Sequence, residues 1–144
     1  MIYDAEELLF TELVKRLKEK YTWASNGKVG FSNDWVKQPE KLPWVTFCEE
    51  DNRTEIRYHD TANEENAVRL TYQVDVWTNR EAQRKKDGRK IVKAIDDELL
   101  AMGFRRTYLN NDPSLSDGTL YRYIGRYSTV AEQRDDQLIL YHRR

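Results

Sequence analysis

Few side chains in this 144-residue chain suit metal binding or nucleophilic attack: two histidines, His59 and His142, and one cysteine, Cys48. Neither histidine stands at helical or strand spacing from a second His, Cys or carboxylate, which a metal site would require. His59-Asp60 with Glu64 or Glu65 comes nearest, and adjacent residues in a turn read better as a solvated corner. Asp96, Asp97 and Glu98 would stand about 100° apart around a helix, so they diverge and a solvated face is expected. Cys48 sits in the apolar run "WVTFC" with no His or Lys beside it to lower its pKa, which makes it a packing residue. Neither common Gly-rich phosphate loop nor a G-x-S-x-G elbow occurs. The expectation is therefore no catalytic residue, no metal and no cofactor.

The elements that would position these groups follow from periodicity. A helix is predicted from about Ala5 to Lys20, with Leu9, Leu13 and Leu17 on one stripe beside Phe10 and Val14, and Asp4 with Glu7 resembling a capping box. Residues 21–43 are dense in turn formers and read as a long loop carrying Trp23 and Trp35, with one short strand near Lys28 to Phe31. Three strands are then expected, "PWVTFCEE", "RTEIRYH" and Val68 to Trp77. In the last, Val68, Leu70, Tyr72, Val74 and Val76 point to a core, while Arg69, Thr71, Gln73, Asp75 and Trp77 form a face that is wet or shared.

Thr78 with Glu81 reads as a capping box opening a second helix, whose apolar stripe is Ile91, Ile95, Leu99 and Met102 and whose stop is Gly103. Its first turns are almost wholly polar, so they project past the sheet or meet a partner. Strands at "FRRTYL", "TLYRYIGRYSTV" and "LILYHRR", separated by turns around "NNDPSLSDG" and at "AEQRDD", complete an α+β domain of residues 1–144, two helices on a mainly antiparallel sheet, in the order α-β-β-β-α-β-β-β.

Bulk composition narrows the classes further. Twenty-four basic and 25 acidic residues give a net charge of -1, so no global field draws the chain to nucleic acid or anionic lipid. No stretch approaches the ~18 apolar residues of a bilayer helix, and the start "MIYDAEELLF" lacks a secretory pattern, so the cytosol is the expected site of synthesis and assembly. The basic run Arg80, Arg84, Lys85, Lys86, Arg89 and Lys90 is a solvated helix face, a subunit contact or a contact with passing DNA.

The helix–strands–helix–strand order also resembles nucleases of the restriction-endonuclease kind, which hold Mg²⁺ with an acid on one strand and an (Asp/Glu)-x-Lys triplet on the next. The corresponding stretch "TYQVDVW" puts Gln73 where the acid belongs and Asp75 where the lysine belongs, which inverts the charge. An atypical nuclease is the alternative from another class. A closer resemblance runs from about Ala5 onward, through "LPWVTF", "TYQVDVWTN", "ELLAMGFRR", "LYRYIGRYSTV" and "LILYHRR". Together these resemble the tail-completion proteins of long-tailed bacteriophages, also called tail terminators or tail-to-head joining proteins.

That resemblance implies a structural virion protein of the head-to-tail joint: a homo-oligomeric ring, usually of six subunits, that ends the tail tube and docks to the head connector. A neck adaptor or other minor tail protein of the same fold is its near alternative. The implied partners are other copies, the tail tube protein, a connector or neck protein, and DNA passing through the lumen. A ring needs two complementary patches on each subunit. Arg69, Gln73, Asp75 and Trp77 on the third strand, Arg84, Lys85, Lys86 and Arg89 on the second helix, and Trp23 and Trp35 in the loop are the candidates.

Overall fold

Leucine at every fourth position makes the first helix amphipathic, and a sheet receives its apolar stripe. In a computed structural model describing residues 5–34, 39, 41–54, 67–79, 82–111, 120–134 and 137–140, α1 (Ala5–Lys20) buries Leu9, Leu13 and Leu17. Opposite them, alternation in β2 (Trp44–Thr54) and β3 (Val68–Asn79) turns Val45, Phe47, Val68, Leu70, Tyr72, Val74 and Val76 inward. Phe47 stacks on Tyr72 with ring centroids 4.6 Å apart, and Phe104 meets Tyr72 edge-on at 5.8 Å. Such pairs add about 0.5–1.5 kcal/mol each to the area they bury.

The second long helix, α3 (Ala82–Met102), closes the same face with Ile91, Val92, Ile95, Leu99 and Met102. Gly88 sets how closely it lies, since a Cβ there would come 3.0 Å from Thr78 Cγ2 and 3.4 Å from the Tyr123 ring. The helix ends as the sequence predicts. Gly103 has φ 108°, its N–H donates to Leu100 O, and the Phe104 N–H donates to Leu99 O, the paired bonds of a Schellman stop.

The sheet runs β1-β2-β3-β5-β4, with β1 (Gly30–Ser32) parallel to β2 and the other pairs antiparallel. β4 is Arg105–Asn111, β5 is Leu120–Arg134, and β6 (Gln137–Leu140) pairs with the far end of β5. Ala131 pairs with Val68 on one side and Leu140 on the other, so β6 follows β4 along the same flank of β5. Helices lie on one face of this sheet, and the class is α+β.

The local pattern differs in several places. Asp51-Asn52, whose turn-forming types predict a connection between "PWVTFCEE" and "RTEIRYH", is part of a strand: β2 continues through it to Thr54, absorbing one residue as a bulge between Glu49 and Asp51 because β3 supplies a ladder along its whole length. Residues 55–59, the rest of that expected strand, lie outside the described residues. Thr78 does not cap α3. Pairing with Tyr121 keeps it in β3, and its side chain is fully buried against Gly88. Within the expected long loop, Thr22–Ser25 form a short helix, α2, and β1 follows. Ala131 to Arg134, expected to begin a turn, instead pair with β6.

Gly30 shows how tightly that corner is built. A Cβ added there would stand 2.0 Å from the Trp44 ring, whose rigid indole cannot yield locally. Gly30→Ala is expected to destabilise the fold by about 1–3 kcal/mol, the usual range for overpacking. A urea-unfolding midpoint unchanged from the parent protein would contradict this packing.

Candidate functional site

Strand alternation that commits one face of β3 to the core commits the other to whatever lies beyond it. That second face carries Thr46 and Cys48 from β2, Gln73, Asp75 and Trp77 from β3, and Arg122, Ile124 and Arg126 from β5. Its centre is charged. Asp75 is 3% exposed and is fully engaged: its Oδ2 accepts from Thr46 Oγ1 at 3.1 Å, and its Oδ1 accepts from Arg122 Nε at 3.2 Å and Nη2 at 3.0 Å. Gln73 Nε2 approaches both carboxylate oxygens, at 3.2 and 3.3 Å. Two donors from one guanidinium fix the arginine's plane as well as its position.

Held so, Arg122 lies over the Trp77 ring, 4.8 Å from its centroid. Two pleats along β5, Arg126 repeats the arrangement: it donates to Glu50 Oε1 at 3.3 Å and Gln73 Oε1 at 3.5 Å, and covers the Tyr108 ring at 5.0 Å. Arginine over an aromatic face adds about 0.5–2 kcal/mol, more as water is excluded. The Arg126 side chain is 41% exposed, against 14% for Arg122. Tyr108 belongs to β4, all of whose residues are exposed and whose outer edge pairs with no strand among the described residues.

The sequence candidates are distributed unevenly over this face. Gln73, Asp75 and Trp77 come together, but Asp75 and Trp77 are buried, so they support the surface instead of presenting it. Arg69 lies on the same strand face and is half-buried. Arg84 and Lys85 lie on α3, their side chains outside what the structure describes, while Lys86 and Arg89 are exposed there. Trp23 is not in a loop; it sits in α2, stacks on Tyr21 at 5.5 Å and packs against the core. Trp35 lies outside the described residues. Arg122 and Arg126 are not among the sequence candidates, although their spacing of four in "LYRYIGRYSTV" places them on one strand face.

The acidic run on α3 is not the solvated face expected of it. Asp96, Asp97 and Glu98 diverge as expected, yet only Asp97 is exposed. Glu98 is 3% exposed and accepts from Lys20 Nζ at 2.8 Å, tying α3 to α1. Asp96 accepts from the Tyr127 hydroxyl at 2.9 Å and from Arg106 Nη1 at 3.3 Å. Burial and this carboxylate push the Tyr127 phenol above its ordinary range. Among the described residues no group of three or more His, Cys, Asp or Glu is gathered to hold a metal ion. His59, Asp60, Glu64, Glu65 and His142 lie outside them. No helix among the described residues is long and apolar enough to cross a membrane.

No protein-family model matches the chain, and no curated protein does. Among solved structures, one of a protein without a functional name matches with a TM-score of 0.50 at 17% identity, over 95% of this chain and 100% of that one. The likeness is one of fold, an α+β domain of the same extent.

Cys48 is half-buried beside this face, with its thiol 3.4 Å from Asn33 O. Burial first, then the carboxylates of Glu6, Asp75 and Asp34, push the thiol up to about 11. Only the thiolate attacks alkylating agents, so iodoacetamide should label Cys48 slowly at neutral pH. The rate is expected to climb about tenfold per unit between about pH 8 and 10. A rate that has levelled by about pH 9 would contradict the assigned environment.

Proposed function

We propose that this protein is a non-enzymatic structural component of the phage head-to-tail joint. Copies assemble into a ring that ends the tail tube and docks to the head connector, after synthesis in the host cytoplasm. The observation that carries this reading is the paired arginine–aromatic face, Arg122 over Trp77 and Arg126 over Tyr108, built on a buried carboxylate and facing away from the helices. Arginine and aromatic side chains are enriched where proteins meet, and anchoring them in advance reduces the entropy lost on contact.

A ring also requires a second, different surface on each copy. The exposed edge strand β4 supplies one: it offers unpaired backbone groups, and Tyr108 and Leu109 stand 41% and 37% exposed on it. Tyr108 lies under Arg126, so the edge and the arginine face are continuous. Six copies follow from the resemblance to tail-completion proteins, and DNA would run through the lumen. Both Asp75 oxygens are occupied by Arg122 and Thr46, which supports a structural over a metal-binding use of that carboxylate.

Light scattering with negative-stain microscopy tests the reading, on the protein alone and mixed with tail tubes. A mass about six times that of one chain, with ring-shaped particles, is expected. Arg126→Glu places like charge beside Glu50 and is expected to weaken assembly by about 2 kcal/mol or more while leaving circular dichroism unchanged. A parent protein that stays monomeric under both conditions, or a variant that assembles as well, contradicts the proposal.

A further inference from the structure

The outer side of α3 carries a second charged feature that the arginine face does not use. Lys86, Arg89, Lys90 and Lys93 are all exposed, and their spacing of three, four and seven places them within about 100° of the helix circumference. Gly88, Ile91, Val92 and Ile95 are buried on the far side, so the sheet fixes this stripe's orientation. Lys86, Lys90 and Lys93 form no ion pair among the described residues. Asp97, one turn beyond Lys93, ends the run of positive charge.

Arg89 is held in place. Its Nε donates to the Tyr123 hydroxyl at 3.2 Å, leaving its terminal nitrogens without a partner among the described residues. Tyr123 is itself braced edge-on by Tyr121, with centroids 4.9 Å apart. A guanidinium fixed through Nε alone presents both other nitrogens outward, the fork that matches phosphate oxygens.

We infer that this stripe is a sequence-independent binding site for the phosphate backbone of duplex DNA. Three observations favour that partner over an acidic protein. Three of the four cations are lysines, which protein interfaces disfavour. Neither apolar nor aromatic anchors interrupt the stripe from Lys86 to Lys93, whereas protein contacts concentrate their energy in such anchors. The stripe is about 10 Å long, a length over which duplex DNA presents about six phosphates. With no base-reading group beside the cations, contact is to backbone alone. The inference stands on charge and geometry and does not require the ring; within a ring it would place α3 on the lumen side.

Fluorescence anisotropy of a labelled duplex of about 20 base pairs, titrated with the full chain across a salt series, tests it. Binding with a dissociation constant of about 10⁻⁴–10⁻⁶ M at physiological salt, tighter at low salt, is expected, equal for unrelated sequences, with log K falling against log salt at a slope of about 3–4. Lys86→Gln with Lys90→Gln should lower that slope by about 2 at an unchanged unfolding midpoint. No binding at low salt, an unchanged slope in the double variant, or poly-glutamate bound as tightly as DNA would each overturn the inference. Light scattering on the same samples reports assembly separately, so loss of DNA binding and failure to form rings are told apart.

Discussion

The Asp75 carboxylate is the constraint on which the open face of the sheet depends. It is buried in the central strand, where an unpaired charge would be strongly destabilising, so its neighbours on both flanking strands are arranged to meet it: Thr46 from β2 and Arg122 from β5. Arg122 can then stand over Trp77, and Gln73, which reaches Asp75 through its amide nitrogen, turns its oxygen toward Arg126. One carboxylate thus sets the orientation of two arginines two pleats apart on β5. On the other side the core is built on packing, with the Phe47–Tyr72–Phe104 aromatic contacts at its centre and hydroxyl bonds from Tyr72 to Glu49 and Tyr127 to Asp96 at its margin.

How much of this was legible in the sequence depends on the range of the forces involved. Period-based features transferred well: the leucine stripe of α1, the inward set of β3 and the stop at Gly103 are properties of local geometry, and the chain carries them locally. The face opposite the core is legible as a face, but its burial is not. Asp75 and Trp77 looked like surface because alternation says only which side a residue is on; their burial comes from Arg122, 47 residues away from Asp75 along the chain. The same limit applies to Glu98, whose partner Lys20 is 78 residues distant, and to Thr78, where pairing with β5 overrode a convincing local capping signal. The Asp51-Asn52 pair misled for the converse reason: a turn-forming dipeptide was carried through by a neighbouring strand long enough to bridge it.

α3 links the two surfaces. Its inner side is fixed by Gly88 against Thr78 and Tyr123, its C-terminal turns are bound through Glu98 to α1 and through Asp96 to Tyr127, and its outer side displays the cations. Tyr123 lies on β5, the strand that also carries Arg122 and Arg126, so a single strand organises both the arginine face and the orientation of Arg89. With net charge near zero, positive charge acts through local stripes such as this one and not through a global field.

The most direct measurement of the Asp75 constraint is a double-mutant cycle in urea unfolding, with Asp75→Ala, Arg122→Ala and the two combined. Because each single change leaves its partner charged and largely buried, a coupling energy of about 2–3 kcal/mol is expected. A coupling below about 0.5 kcal/mol would mean that the two side chains act independently, contradicting an open face organised from Asp75.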